Sequence, residues 1–192
     1  LALPESSLGV HRSQPGHSEA GSGMKELKKA LDIGLKGPHA ADALRRFRGQ
    51  MRRWGLTPPS VEPLVLDFGL GEFEKTGLIE CWIANDAAAG YCGKWLFVFD
   101  GQTCPEHRHA VKHETFFMVK GRARMKIGGR RLLMKAGAVL AVPPGVYHSF
   151  TGQGPALLLE ISTPCEIADN HFRNRAIPIG SNCACGGRLR RR

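Results

Sequence analysis

Gly101-Gln-Thr-Cys-Pro-Glu-His107-Arg-His109-Ala-Val-Lys-His-Glu114 is the stretch that decides how this chain folds. Its histidines at i and i+2 point to one face if the segment is a strand, as two ligands of one metal must. Glu114 follows five residues after His109, where the chain has had room to turn back. His148 comes just after Val142-Pro143-Pro144-Gly145, a turn able to swing the next strand toward the same point. Three imidazoles and one carboxylate make a mixed nitrogen and oxygen donor set. That set suits Mn²⁺, Fe²⁺, Co²⁺, Ni²⁺ or Zn²⁺ rather than Mg²⁺ or Ca²⁺. Any one of these histidines alone would read as structural; at this spacing, together, they read as a metal centre.

The sequence around this stretch has a period of two. Candidate strands are 64–69, 77–84, 94–100, 112–120, 122–128, 130–134, 138–142, 147–151, 156–162 and 175–179, punctuated by glycine and proline. Gly128-Gly129 suits a two-residue hairpin, and Ala136-Gly137 a second tight reversal. Many short strands at regular spacing indicate a mainly β fold, a sandwich or a barrel of the jelly-roll type. Upstream the period is helical: Met24, Leu27, Leu31 and Leu35, then Ala40, Leu44, Phe47, Met51 and Trp54, ended by Gly55 and Pro58-Pro59. These two helices are expected to cover an open barrel face or a subunit interface. The organisation expected is a disordered or non-native leader (1–23), a helical arm (24–55), the barrel (56–180) and a disordered basic tail (181–192).

The 192 residues carry 24 glycines and 12 prolines without a Gly-X-Y period, which disfavours both a helical bundle and a collagen-like chain. The formal net charge is +10. Arg45, Arg46, Arg48, Arg52 and Arg53 fall on the polar face of the second helix with no aromatic residues interleaved, so a solvated face is expected and no nucleic-acid partner. No apolar run approaches the ~20 residues of a membrane span, and no membrane partner is expected. The six cysteines read as free thiols in a reducing cytoplasm. Cys104 is assigned by strand parity to the face opposite His107, as a buried free thiol. Cys183-Ala-Cys185 lacks the spacing and the second half-site of a zinc knuckle.

The histidine stretch also resembles a known family. Gly101, His107-x-His109, Glu114 and Gly121, followed by Gly137, Pro143-x-Gly145 and His148, match the two motifs of the cupin superfamily, with Gly152 where the second motif ends in asparagine. The resemblance implies a jelly-roll barrel preceded here by the two helices, with a metal at His107, His109, Glu114 and His148. Tyr91-Cys92-x-Lys94, the Gly101–His109 block, Lys112-His-Glu-Thr-Phe116, Glu160-Ile-Ser-Thr, Asp169-Asn-x-Phe172 and Arg175-x-Ile177 further resemble the cupin-type D-lyxose isomerases. That similarity covers about residues 64 to 178.

The second resemblance implies a metal-dependent aldose–ketose isomerase that interconverts D-lyxose and D-xylulose through an enediol, with D-mannose and D-fructose as a further pair. Mn²⁺ is the expected ion, with Co²⁺, Fe²⁺, Ni²⁺ and Zn²⁺ as substitutes. Glu160, opposite Leu157, Leu159 and Ile161 in the alternation, is the candidate base; without the resemblance it could equally be a solvent-facing acid at a strand end. Lys94 lies on the face opposite Trp95, Phe97 and Phe99. An isolated lysine there would be solvated, and only the resemblance promotes it to catalysis. Lys112, Asp169 and Phe172 are candidate substrate contacts. The competing readings are an Fe²⁺-dependent dioxygenase on the same barrel and a non-catalytic sugar-binding cupin. The expected partners are a small sugar and a second copy of the chain, as a homodimer formed through barrel-edge strands and the apolar helix stripe.

Overall fold

The computed structural model describes residues 20–182. Of the expected disordered leader (1–23) and tail (181–192), residues 1–19 and 183–192, with Cys183 and Cys185, lie outside them, whereas 20–23 belong to a helix and Ser181 and Asn182 to a 3-10 turn. Helix α1 (Ala20–Asp32) begins ahead of Met24, and α2 (Gly37–Arg53) opens with Pro38, whose missing N–H costs nothing in a first turn. Gly55, at φ 67°, ends the second helix as expected.

The remainder is two antiparallel sheets. One holds six strands in the order β1 (Leu64–Leu66), β2 (Leu78–Asp86), β3 (Tyr91–Val98), β10 (Ala156–Ser162), β5 (Glu114–Lys120), β8 (Val139–Val142). The other holds β11 (His171–Phe172), β4 (Thr103–Arg108), β9 (His148–Gly152), β6 (Arg122–Ile127) and β7 (Arg130–Lys135). From β3 onward successive strands alternate between the sheets, except for the β6–β7 hairpin, which gives the expected jelly-roll barrel. Gly128 and Gly129 both have positive φ, 52° and 84°, as the two-residue hairpin between β6 and β7 requires.

Three differences from the sequence reading have local causes. The first strand stops at Leu66 because the Asp67 carboxylate accepts the backbone amides of Gly69 and Gly71 and folds the chain into a turn. No strand forms at 175–179, where Pro178 lacks a ladder donor, although Ile177 is fully buried. Strand β4 carries the correction to Cys104. Cys104 pairs with Phe150 and His107 with His148, so two residues on β4, Pro105 and Glu106, lie opposite one on β9, Ser149. This bulge around Pro105 restores Cys104 to the same inward face as His107. Cys104 is buried in the barrel core with Cys92 and Cys165, Cys81 is buried beneath α2, and all four are free.

Two hydrophobic clusters place the site. Between the sheets, Leu96, Val98, Phe116, Met118, Met125, Phe150 and Leu158 fill one end of the barrel. Outside the larger sheet, α2 lays Ala40, Ala43, Phe47 and Met51 on Val65, Ile79, Phe97 and Leu157. Phe47 meets Phe97 edge-on at 5.2 Å. Helix α1 lies across the other end of the barrel, with Ala30 in the inner cluster and the Glu26 carboxylate accepting the amide of Ile167 at 2.7 Å. Phe47→Ala should lower the unfolding free energy by about 3–5 kcal/mol, read by urea denaturation. An unchanged midpoint would mean that α2 contributes little to the fold.

Candidate metal centre and the charged barrel interior

Strand β4 supplies His107, the loop after it His109, and β9 His148; one ring nitrogen from each lies within 4.8 Å of the others. All three residues are buried. Their outer nitrogens are engaged: Nδ1 of His107 contacts the Pro105 carbonyl at 2.8 Å, that of His109 the Asp169 carbonyl at 3.1 Å, and that of His148 the Val146 carbonyl at 3.1 Å. A carbonyl oxygen can only accept, so each Nδ1 carries the hydrogen and each Nε2 turns a lone pair inward. Burial and the neighbouring imidazoles of His148 and His109 push the pKa of His107 well below the usual range, which keeps it neutral.

From the facing sheet, Glu114 brings Oε1 to 3.2 Å from His109 Nε2 and Oε2 to 3.1 Å from His148 Nε2. His109 Nε2, His148 Nε2 and Glu114 Oε2 are nevertheless buried without a hydrogen-bond partner. Buried polar atoms left unmatched are costly. Here they converge on one point with inward lone pairs and a carboxylate, which is what a divalent transition ion requires. The donor set therefore fits such an ion, and these four side chains would hold it.

Charge continues inward from Glu114. Lys112 Nζ lies 2.8 Å from Glu114 Oε1 and also binds Glu160 Oε1, which accepts the Ser162 hydroxyl at 2.9 Å as well. Burial disfavours the charge on Glu114, yet the Lys112 ammonium beside it outweighs burial and holds the pKa well below the ordinary carboxylate range. Burial acts the same way on Glu160, and Lys112 and Lys94 overcome it. Both are carboxylates at neutral pH. Lys94, opposite Glu160 in the β3–β10 register, faces the interior, whereas Trp95 and Phe97 face outward. The alternation thus holds for Lys94 and Glu160.

Phe172 pairs with His107 across the β11–β4 edge, its ring 5.4 Å from the imidazole, and forms a wall of the site. Asp169 has a different position from a free hydroxyl-binding edge. Its carboxylate accepts the amides of Ala110, Val111 and Lys112 at 2.7, 3.2 and 3.1 Å, clamping the loop between His109 and Glu114. Missed in the sequence were Glu80 and Trp82, which also face the interior of the barrel. Apolar residues occupy both parities of β2, so alternation gave no signal for which face was inside.

A barrel of this topology with this histidine cluster defines the cupin class, and a cupin-domain family model matches residues 96–162. A D-lyxose isomerase family model matches residues 64–127. The D-lyxose ketol-isomerase of Cohnella laeviribosi is 30% identical over 162 residues, 67% of this chain and 87% of that one. The chain belongs to the D-lyxose isomerase family. The D-lyxose/D-mannose isomerase of Thermosediminibacter oceani is 40% identical over 84 residues, a match spanning 40% of this chain and 45% of that protein. An L-ribose isomerase structure from Cellulomonas parahominis, with L-ribose, shares the fold at a TM-score of 0.62 and 16% identity, covering 76% of this chain and 95% of that one.

Asp169 acts on the site only through the loop and through His109, so its removal is a clean test of that support. Asp169→Ala should weaken metal affinity about 10–100-fold, measured by competition with a chromogenic chelator; unchanged affinity would contradict the clamp.

Proposed function

We propose that this protein is a metal-dependent aldose–ketose isomerase that interconverts D-lyxose and D-xylulose, with D-mannose and D-fructose as a second pair. The observation that carries this reading is Glu160: a buried carboxylate held ionised by Lys112, beside the candidate metal ligands, in a chain of the D-lyxose isomerase family. Isomerisation moves a proton from C2 to C1 and exchanges protons between the two oxygens. A bound divalent ion, Mn²⁺ in this proposal, would supply polarisation of the C1 and C2 oxygens.

The chain's own groups do the rest. Lys112 and Ser162 both bond Oε1 of Glu160, fixing the carboxyl plane and leaving Oε2 to take the C2 proton and return it at C1. The Lys94 ammonium, on the same inner face, is suited to stabilise negative charge developing on the substrate oxygens. Phe172 supplies an apolar wall that keeps the sugar against His107. Glu160→Gln should retain metal but lose about 10²–10⁴-fold in turnover of D-lyxose, measured by coupled assay. Wild-type turnover in that variant would remove Glu160 as the base.

We further propose a homodimer formed through the part of the larger sheet that α2 leaves open. In register across β3, β10, β5 and β8 stand Trp95, Leu159, Phe117 and Val139, and beside them Gly93, Ile161, Thr115 and Ala141. Phe117, Val139 and Ile161 are exposed. No position in either row carries charge, so an equally uncharged surface is its complement, and a second copy provides one by two-fold symmetry. Ile161→Lys with Val139→Lys should halve the mass measured by light scattering; an unchanged mass would exclude this face. No helix among the described residues is long and apolar enough to cross a membrane. Among the described residues Cys81, Cys92, Cys104 and Cys165 are buried free thiols, which supports the reducing cytoplasm as the proposed compartment.

A further inference from the structure

Glu80 lies on the inner face of β2, between Leu64 on β1 and Leu96 on β3. An acid between two leucines has no packing reason to be there, and replacing a buried ion pair with apolar side chains is often neutral or stabilising. Its contacts explain its place. Oε2 of Glu80 accepts the indole N–H of Trp82 at 2.6 Å and lies 3.5 Å from Lys94 Nζ. That ammonium sits 4.0 Å from the centroid of the Trp82 ring and 3.1 Å from Sγ of Cys165. One carboxylate therefore both neutralises Lys94 and fixes the ring against which Lys94 rests.

This cluster borders a cavity of about 40 Å³ lined by Glu80, Trp82, Lys94, Cys165 and Phe172, and by Ala30 of α1. Phe172 is also the wall beside His107, so the cavity and the candidate metal centre share a boundary. Together with Glu160, Lys112 and Glu114, the cluster completes a row of alternating charge along the inside of the larger sheet.

We propose that Glu80 is a positioning residue for isomerisation: together with Trp82 it holds the Lys94 ammonium charged and fixed on the inner face that it shares with Glu160. The proposal rests on the isomerase reading above. The groups facing Lys94 are Glu80 and Trp82 from β2, Glu160 from β10, Cys104 from β4, Cys92 on its own strand, Cys165 after β10, and Lys112 ahead of β5. Burial opposes the Lys94 charge, but Cys165, Glu80 and Glu160 outweigh it. Burial also pushes up the Cys165 pKa, so at neutral pH that residue is a thiol and the compensating charge rests with the two carboxylates. Glu160 is already shared with Lys112, which leaves Glu80 as the carboxylate that touches Lys94.

Glu80→Gln keeps an acceptor for Trp82 and removes only the charge; Glu80→Asp keeps the charge. Two readouts on the full chain test the proposal. In Zn²⁺-loaded protein labelled with ¹³C-lysine, the Lys94 Cε signal should titrate at lower pH in Glu80→Gln than in wild type, and return toward wild type in Glu80→Asp. In steady-state assays with D-lyxose, kcat/KM of Glu80→Gln should fall on the alkaline side, by about fivefold or more between pH 7 and pH 9, with wild type and Glu80→Asp flat over that interval. Identical Lys94 titrations in wild type and Glu80→Gln, or identical pH profiles, would overturn the assignment. A wild type that binds metal yet turns over no sugar would sink the isomerase reading and the kinetic role with it, while the titration would still decide whether Glu80 sets the charge of Lys94.

Discussion

Mutual neutralisation of charges inside an apolar barrel is the constraint on which the rest of the structure depends. Lys94, Lys112, Glu114 and Glu160 are all buried, and an isolated ion there would be so poorly solvated that it would neutralise or force the fold open. Each has an opposite charge at contact: Glu114 and Glu160 share Lys112, and Glu80 meets Lys94. The three imidazoles, from the opposite sheet and the loop that follows β4, are turned inward by backbone carbonyls, and those of His109 and His148 complete the set with nitrogens that no protein donor satisfies. Such an interior is expensive for stability alone. It is intelligible under the isomerase proposal, in which the site presents a metal, a base and a fixed positive charge to one small polar substrate.

The scaffold divides labour accordingly. One end of the barrel and the outer face beneath α2 are filled with aliphatic and aromatic side chains, which stabilise the sheets through burial. The polar end can then be dedicated to chemistry. The larger sheet carries the ionised residues and the smaller sheet the histidines, so the two functions are brought together only when the sheets close. Helix α1 and the Asp169 turn lie over that end, and Asp169 ties the ligand loop to the C-terminal segment.

Much of this was legible in the sequence because it depends on period and spacing. His107, His109, Glu114 and His148 meet as their motifs implied; alternation set Lys94 opposite Trp95 and Phe97, and Glu160 opposite Leu159 and Ile161, while the family resemblance, not the period, indicated which of the two faces was inside. What escaped was wherever alternation breaks or gives no contrast. The bulge at Pro105 returns Cys104 to the inner face, which parity alone could not foresee. Glu80 and Trp82 sit on a strand whose two faces are both apolar, so nothing in the local pattern distinguished inside from outside. Asp169 was found as a residue but not as a clamp, since its three amide partners lie about sixty positions earlier in the chain.

The most direct test of the account is solvent deuterium incorporation, followed by NMR, into D-lyxose and D-xylulose with Mn²⁺-loaded protein under anaerobic conditions. The account predicts deuterium at C2 of the aldose and C1 of the ketose as the two sugars interconvert, without oxygen. If the metal site is occupied and neither sugar exchanges or interconverts, the assignment of isomerase chemistry to this barrel is contradicted.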